Sequence, residues 1–281
     1  MPPSLALFDS KSISGTTFTL ELVQEATNLT TAANYRQESE IKSHPVPIHP
    51  DLLNLGPWIH KASKEIPRRL ILTKTHCLGY LEECPDSINL MPGSFRGGCL
   101  SQFNSAAAYP IELVKKAVHI MRHPLDNIVA RFRFYSPLRN RDDFVNWCRN
   151  RDARDEIKCQ NHTRVELEAR KNSSQVPCYQ DFFRYTKWHN NSFSLIDQNK
   201  NISSFFFHYE DYGHHFENTT RELLNFLELE PVRKGAEFVN GKRYLDYYTE
   251  NQTKAIWKLV YDLASPETRK ALAYYNPVLD E

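Results

Sequence analysis

Three short segments set residues able to handle an anion or a proton where the chain turns out of an apolar run. "SISGTTF", residues 12–18, holds Ser14, Gly15, Thr16 and Thr17 between the apolar stretch 5–8 and a helical spacing that begins at Phe18. A small-polar turn ahead of a helix leaves first-turn amides free to meet an anion, and glycine admits close approach. Lys11 lies just upstream. "ILTKTHC", 71–77, sets Lys74 and His76 two residues apart, hence on one face of an extended chain. A neutral imidazole takes a proton near neutral pH, and a lysine beside it holds an anionic oxygen. "VHIMRHPLDNIVARFRF", 118–134, ends an apolar run at Arg122 and opens a helix with Pro124. The planar guanidinium fits phosphate oxygens. Taken singly, each segment has a plainer explanation: a capping turn, a polar strand end, an arginine bridged to Asp126.

The elements that must position these residues alternate. Apolar runs predict strands at 4–8, 68–74, 116–123 and 203–211. Helical spacing predicts helices at 16–27, from Pro124 onward, at 179–193 and at 218–229, with Asn218 or Thr219 as cap, and two more beyond 249. The proline-broken stretch 32–66 reads as a surface excursion with a short helix near 58–65, and 77–105 as a long loop over a site. Residues 136–175, highly charged, read as solvated helices and a loop. This order predicts an α/β fold: a three-layer sandwich, one mostly parallel sheet flanked by helices, as a single domain over 1–281. In open α/β sheets ligands bind beyond the carboxyl ends of the strands, so the three segments are expected to converge there.

With 35 Lys and Arg against 34 Asp and Glu, the formal charge is +1. Bulk attraction to nucleic acid or membrane is not indicated, so an anionic ligand needs a local basic pocket. No apolar run is long enough to span a membrane and no signal-peptide pattern opens the chain; an anchor, if there is one, lies outside it. Seven N-x-[ST] sequons, at Asn28, Asn161, Asn172, Asn190, Asn201, Asn218 and Asn251, point to the secretory lumen, with Asn-rich surface loops as the plain alternative. Six cysteines, Cys77, Cys84, Cys99, Cys148, Cys159 and Cys178, suit lumenal disulfides of open pairing. His76 with Cys77, Cys84 and Cys99 can also be read as zinc ligands, but the spacing fits no common finger.

In order and spacing, "SGTTF…ELVQEAT", "LTKTHC", "IMRHPLDNIVARFRF" and "FFFHYEDY" resemble the successive motifs of sulfotransferases that use 3′-phosphoadenosine 5′-phosphosulfate (PAPS), over about residues 4–212. The resemblance implies that Ser14, Gly15, Thr16 and Thr17 grip the 5′-phosphosulfate, that His76 is the catalytic base, and that Arg122 binds the 3′-phosphate. Lys11 and Lys74 would steady the leaving oxygen. "VRKGAEF" resembles a C-terminal element that closes on the 3′-phosphate, which brings in Arg233, Lys234 and Gly235. Tyr179 sits where the soluble members place a tyrosine near adenine, though a tyrosine on the helix surface is the preferred reading. PAPS is then the co-substrate, no metal is required, and the acceptor is a hydroxyl, of a glycan by likeness to Golgi carbohydrate sulfotransferases. The Golgi lumen or another secretory compartment is the expected location, with the cytoplasm as alternative. Two positions depart from the pattern. Ile13 stands where a basic residue is usual, so Lys11 serves only through a longer or bulged loop. Ala130 stands where a serine is usual, with Arg131 next to it as a possible substitute. A catalytically inactive glycan- or protein-binding member is one alternative. A P-loop kinase is the other, opposed by the missing G-x-x-x-x-G-K-[ST].

Overall fold

A computed structural model describes residues 2–10, 14–39, 45–52, 55–60, 64–78, 92–101, 108–158, 176–239 and 244–276. The strands are β1 (Ser4–Ser10), β2 (Ala32–Ala33), β3 (Trp58–Ile59), β4 (Leu70–Thr75), β5 (Val114–Met121) and β6 (Ser203–His208). The helices are α1 (Thr16–Thr27), α2 (Pro92–Cys99), α3 (Pro124–Tyr135), α4 (Arg141–Lys158), α5 (Tyr179–Gln198), α6 (Asp211–His214), α7 (Phe216–Leu227), α8 (Glu250–Leu263) and α9 (Pro266–Leu272). The chain forms two compact units, one of residues 1–80, 92–121 and 195–241, the other of residues 81–91, 122–194 and 242–281.

The first unit holds a six-stranded sheet in the order β3-β2-β4-β1-β5-β6. Every neighbouring pair is parallel except β2 with β3. A central parallel strand is covered on both faces and so reads as an unbroken apolar run, as Leu5, Ala6, Leu7 and Phe8 of β1 do. On one face Ala6, Phe8, Leu72, Val118 and Ile120 pack against Leu20, Val23 and Ala26 of α1 and Leu223, Leu224 and Leu227 of α7. On the other, Leu7 and Ala117 look across a small apolar gap to Cys99 of α2, Leu100, and Leu195 and Ile196 of α5. Helices thus cover both faces of a mostly parallel sheet, the α/β three-layer arrangement that the alternation of elements predicts.

Local signals placed most elements within a few residues; β2, β3, α2, α6 and the start of α7 differ. Trp58 and Ile59 form β3, antiparallel to β2, where a short helix was expected. Both are buried, and Trp58 also bridges Pro47, so tertiary pairing overrides local spacing. α7 begins at Phe216, with His215 at the capping position, and the Asn218 side chain turns to Glu222 within the helix instead of capping it. The loop expected over 77–105 contains α2.

The second unit is helical, built from α3, α4, α8, α9 and the part of α5 up to Ser194. Phe144 meets Phe132, Tyr247 and Tyr248 edge-on at 5.3 to 5.5 Å between ring centres. A disulfide joins Cys148 of α4 to Cys178, just before α5. Asp152 of α4 accepts from the backbone N–H groups of Cys178 (2.9 Å) and Gln180 (3.4 Å), so one helix caps the amino end of the other. A second disulfide, Cys77–Cys99, lies in the first unit. Cys84 and Cys159 lie outside the described residues. Among the described residues no helix is long and apolar enough to cross a membrane.

Candidate active site

The parallel register aligns the carboxyl ends of the strands on one edge of the sheet. Asp9 of β1 pairs with Thr75 of β4 and with His119 of β5, and Met121 of β5 pairs with His208 of β6. β4 and β5 flank β1 and so stand about 10 Å apart. Gly15 caps α1 with φ 97°, a left-handed conformation that favours glycine. A second demand falls on the same residue. A Cβ there would lie 2.4 Å from the Tyr209 ring and 3.6 Å from Ile120, so the close approach its glycine permits is to the chain leaving β6. Thr19 N–H closes the first turn on the Gly15 carbonyl at 3.0 Å. The N–H groups of the residues before it, Thr16, Thr17 and Phe18, are the orphan donors of the helix start. Ser14 and Thr16 are buried and Thr17 is exposed. Lys11 and Ile13 lie outside the described residues, as do residues 240–243.

His76 follows β4 on the same edge and is 1% exposed. A segment from the 32–66 excursion clamps it. Asn34 N–H donates to the Lys74 carbonyl at 2.9 Å. The His76 backbone N–H donates to the Tyr35 hydroxyl at 2.7 Å, and the two rings stack with centroids 5.5 Å apart and planes 19° apart. Lys74 Nζ, nearly buried, donates to Glu38 Oε1 at 2.8 Å. Asn34 is itself held, donating through Nδ2 to the Cys99 carbonyl at 2.7 Å and accepting from the Tyr109 hydroxyl at 3.0 Å. Burial pushes the Tyr109 hydroxyl pKa up, so that group stays a donor, with the bond to Asn34 the weaker, opposing influence. The Cys77–Cys99 disulfide starts one residue after His76. Tyr35 and Glu38 escape sequence reasoning: no periodicity or motif in "NYRQE" announces partners forty residues ahead.

Arg122 is the residue after β5 and belongs to the second unit. It is 7% exposed, and its carbonyl accepts from the Tyr185 hydroxyl at 2.6 Å. Arg131, also in that unit, is buried on α3 and donates through Nη1 to Asp181 at 2.9 Å. Arg151 donates to both oxygens of the same carboxylate, at 2.8 and 3.2 Å, and Arg184 lies 3.5 Å from it. Burial acts to raise the Asp181 pKa, but the three guanidinium groups outweigh it and hold the carboxyl well below the usual range. Arg131 is thus an interior ion-pair residue in this structure. Tyr179 is buried there and accepts from the Gln180 amide at 2.7 Å.

The "VRKG" element, which the resemblance assigns to the 3′-phosphate, packs along α1. Val232 N–H donates to the Ala26 carbonyl, Arg233 Nε bonds to the Glu25 carbonyl, and a Cβ on Gly235 would lie 2.5 Å from Leu22. These contacts lie along the carboxyl half of α1. Glu25 stands ten residues past Gly15, about 15 Å along the helix. Lys234 is exposed and paired with Glu237. The segment straps α1, with Arg233 bonded to its backbone. Among the described residues no cluster of His, Cys, Asp and Glu is placed to hold a metal.

No family model matches the chain, and no curated protein matches it. Among solved structures, it is similar to the mouse sulfotransferase SULT7A1 complexed with PAP, at 15% identity and a TM-score of 0.42, over 98% of this chain and 89% of that one. It is similar to the sulfotransferase domain from the curacin biosynthetic pathway at 15% identity and a TM-score of 0.43, over 98% of each chain. A sulfotransferase from Alicyclobacillus acidocaldarius matches at 10% identity and a TM-score of 0.39, over 94% of each chain. Likeness of this degree does not place the chain in a family.

Proposed function

We propose that the chain is a sulfotransferase that moves a sulfuryl group from PAPS to a hydroxyl acceptor. The observation that carries the reading is the pairing of two motifs on one sheet edge: Gly15, opening α1 with orphan amides, and His76, held at the end of the next strand but one from β5. The order of the four motifs along the chain supports it. Ser14 through Thr17 and the α1 amides take the 5′-phosphosulfate. Arg122 takes the 3′-phosphate. The acceptor hydroxyl attacks sulfur in line with the bridging P–O–S oxygen, His76 accepts the hydroxyl proton, the S–O bond to the bridge breaks, and adenosine 3′,5′-bisphosphate departs. Lys11 and Lys74 neutralise charge on the bridging oxygen, Lys74 by exchanging Glu38 for the donor. The compartment is the secretory lumen, a reading supported by the two disulfides and the sequons, and the acceptor a sugar hydroxyl, by the resemblance to Golgi carbohydrate sulfotransferases.

The test is radiolabelled sulfate transfer from PAPS to a panel of polysaccharides, beside calorimetric binding of adenosine 3′,5′-bisphosphate. His76→Ala should bind the nucleotide normally and lose about 10²–10⁴-fold in turnover, the usual worth of a general base. Arg122→Ala should weaken nucleotide binding. Tight nucleotide binding without transfer to any acceptor would reduce the protein to a binding module. Stabilisation by ATP–magnesium in place of the bisphosphate would make it a kinase.

A further inference from the structure

We propose that Asn28 carries an N-linked glycan whose first sugars lie in the groove beside it, at the amino edge of the sheet. Five of the seven sequons fall among the described residues, and their asparagines differ in what the side chain does. Asn190 is occupied at both ends: Nδ2 donates to the Leu263 carbonyl at 2.9 Å, and Oδ1 accepts from Ser265 N–H at 2.9 Å, holding the joint between α8 and α9. Asn218 Nδ2 donates to Glu222 at 2.8 Å. Asn201 and Asn251 are exposed. Asn28 is different. It is exposed, at the end of α1, in the left-handed conformation that ends a helix and turns the side chain outward (φ 58°). Its Oδ1 accepts from Arg233 Nη2 at 3.4 Å, while Nδ2 has no partner among the described residues.

Nδ2 is the atom that N-glycosylation uses. It attacks the anomeric carbon of an oligosaccharide linked to a polyprenyl diphosphate. An N–C bond forms, the C–O bond to diphosphate breaks, the lipid diphosphate leaves, and the amide gives up one proton. Modification therefore costs Asn28 no contact in the fold, whereas at Asn190 it would push a sugar into the helix joint.

The groove supplies the occupant's seat. It has a volume of about 740 Å³ and is walled by Arg68, Arg69, Glu65 and Glu230, with Ile66 and Val232 between them. That is within the range of about 300–1,000 Å³ that accommodates small ligands. Alternating charged and apolar walls suit a sugar, whose hydroxyls bond at its rim and whose C–H faces rest on hydrocarbon. Ile66 is 42% and Val232 67% exposed, apolar surface that a tethered saccharide covers. The proposal rests on the lumenal compartment of the proposed function and not on sulfuryl transfer.

The experiment secretes the full chain from eukaryotic cells behind a cleavable signal. Glycopeptide mass spectrometry reads occupancy, and hydrogen exchange compares the parent with Asn28→Gln and with Thr30→Ser, which keeps the sequon. Asn28 should be occupied in parent and Thr30→Ser, and Asn190 empty. Amides of 65–70 and 228–232 should be protected in both glycosylated forms and lose protection in Asn28→Gln and after endoglycosidase trimming. An unmodified Asn28 overturns the proposal, and so does an occupied Asn28 whose trimming leaves exchange in both segments unchanged.

Discussion

Tyr35→Phe removes one oxygen from the clamp and nothing else. That oxygen accepts the His76 N–H at 2.7 Å, between residues 6% and 1% exposed. The ring stack at 5.5 Å survives the change. Water does not reach the freed amide, so the cost is that of a buried donor left unsatisfied, about 1–3 kcal/mol. In a chain of this size each kcal/mol lowers Tm by about 2–4 °C, which scanning calorimetry resolves easily. The kinetic consequence follows from geometry. With its backbone anchor gone, the imidazole drifts from its orientation, and a misplacement near 1 Å costs on the order of 10²-fold in rate. Because Tyr35 touches the base and not the donor, kcat should fall while KM for PAPS holds, and Tyr35→Leu, which also loses the stack, should fall further. A Tyr35→Phe protein that melts and turns over like the parent would refute the idea that this hydroxyl holds His76.

Gly15→Ala meets both a positive φ and the Tyr209 ring; it should cost about 1–2 kcal/mol for the backbone and about 1–3 for overpacking, and Tyr209→Leu should relieve only the second part in a double-mutant cycle of denaturant midpoints. Its affinity for adenosine 3′,5′-bisphosphate should fall with the distortion of the α1 start. Asp181→Asn should destabilise by about 3–5 kcal/mol in urea unfolding, since it strands Arg131, Arg151 and Arg184 in the interior without their carboxylate. The depressed Asp181 pKa contributes stability above the ordinary carboxylate range that is lost only as pH falls through its lower folded value, so the variant should also lose that acid limb. His119 is lowered to about 3 by burial first and by the neighbouring His208 second. The unfolded chain takes up that proton near pH 6.5, so stability should decline as pH falls from there towards 3, by about 2 kcal/mol at pH 5. His119→Gln should flatten that slope in denaturation series, and an unchanged slope would remove His119 as its source.

Strands and helices with strong local patterns were legible. The unbroken apolar β1, the proline at the head of α3 and the amphipathic α7 each carry their own signal, and strand–helix alternation gave the layers. Short elements were not. β2 and β3 have two residues each and exist only because they pair, so local spacing around Trp58 misleads. The site divides in the same way. Gly15 and His76 were found because type and position relative to a strand end are local facts. Tyr35, Glu38 and Asn34 were not, because what matters is which side chain they meet across the sheet, and nothing within the segment encodes that. In the "VRKG" element, composition says nothing of the contacts Arg233 and Gly235 make along α1, which are again set by a distant segment.

The clamp also bears on how charge is managed at the sheet edge. Lys74 is almost buried, and a buried ammonium needs a partner; Glu38 is that partner. A donor with a diphosphate-like bridge offers a second one at the same end of the strand. In the proposed function the donor would compete with Glu38 for Lys74; the Glu38 N–H donates to the Tyr35 carbonyl at 3.0 Å, and the Tyr35 hydroxyl accepts the His76 N–H at 2.7 Å. The carboxylate released is three residues from the tyrosine that orients the base. On that reading, occupancy of the anion site and orientation of His76 would be coupled through the four residues Tyr35 to Glu38, without movement of the sheet.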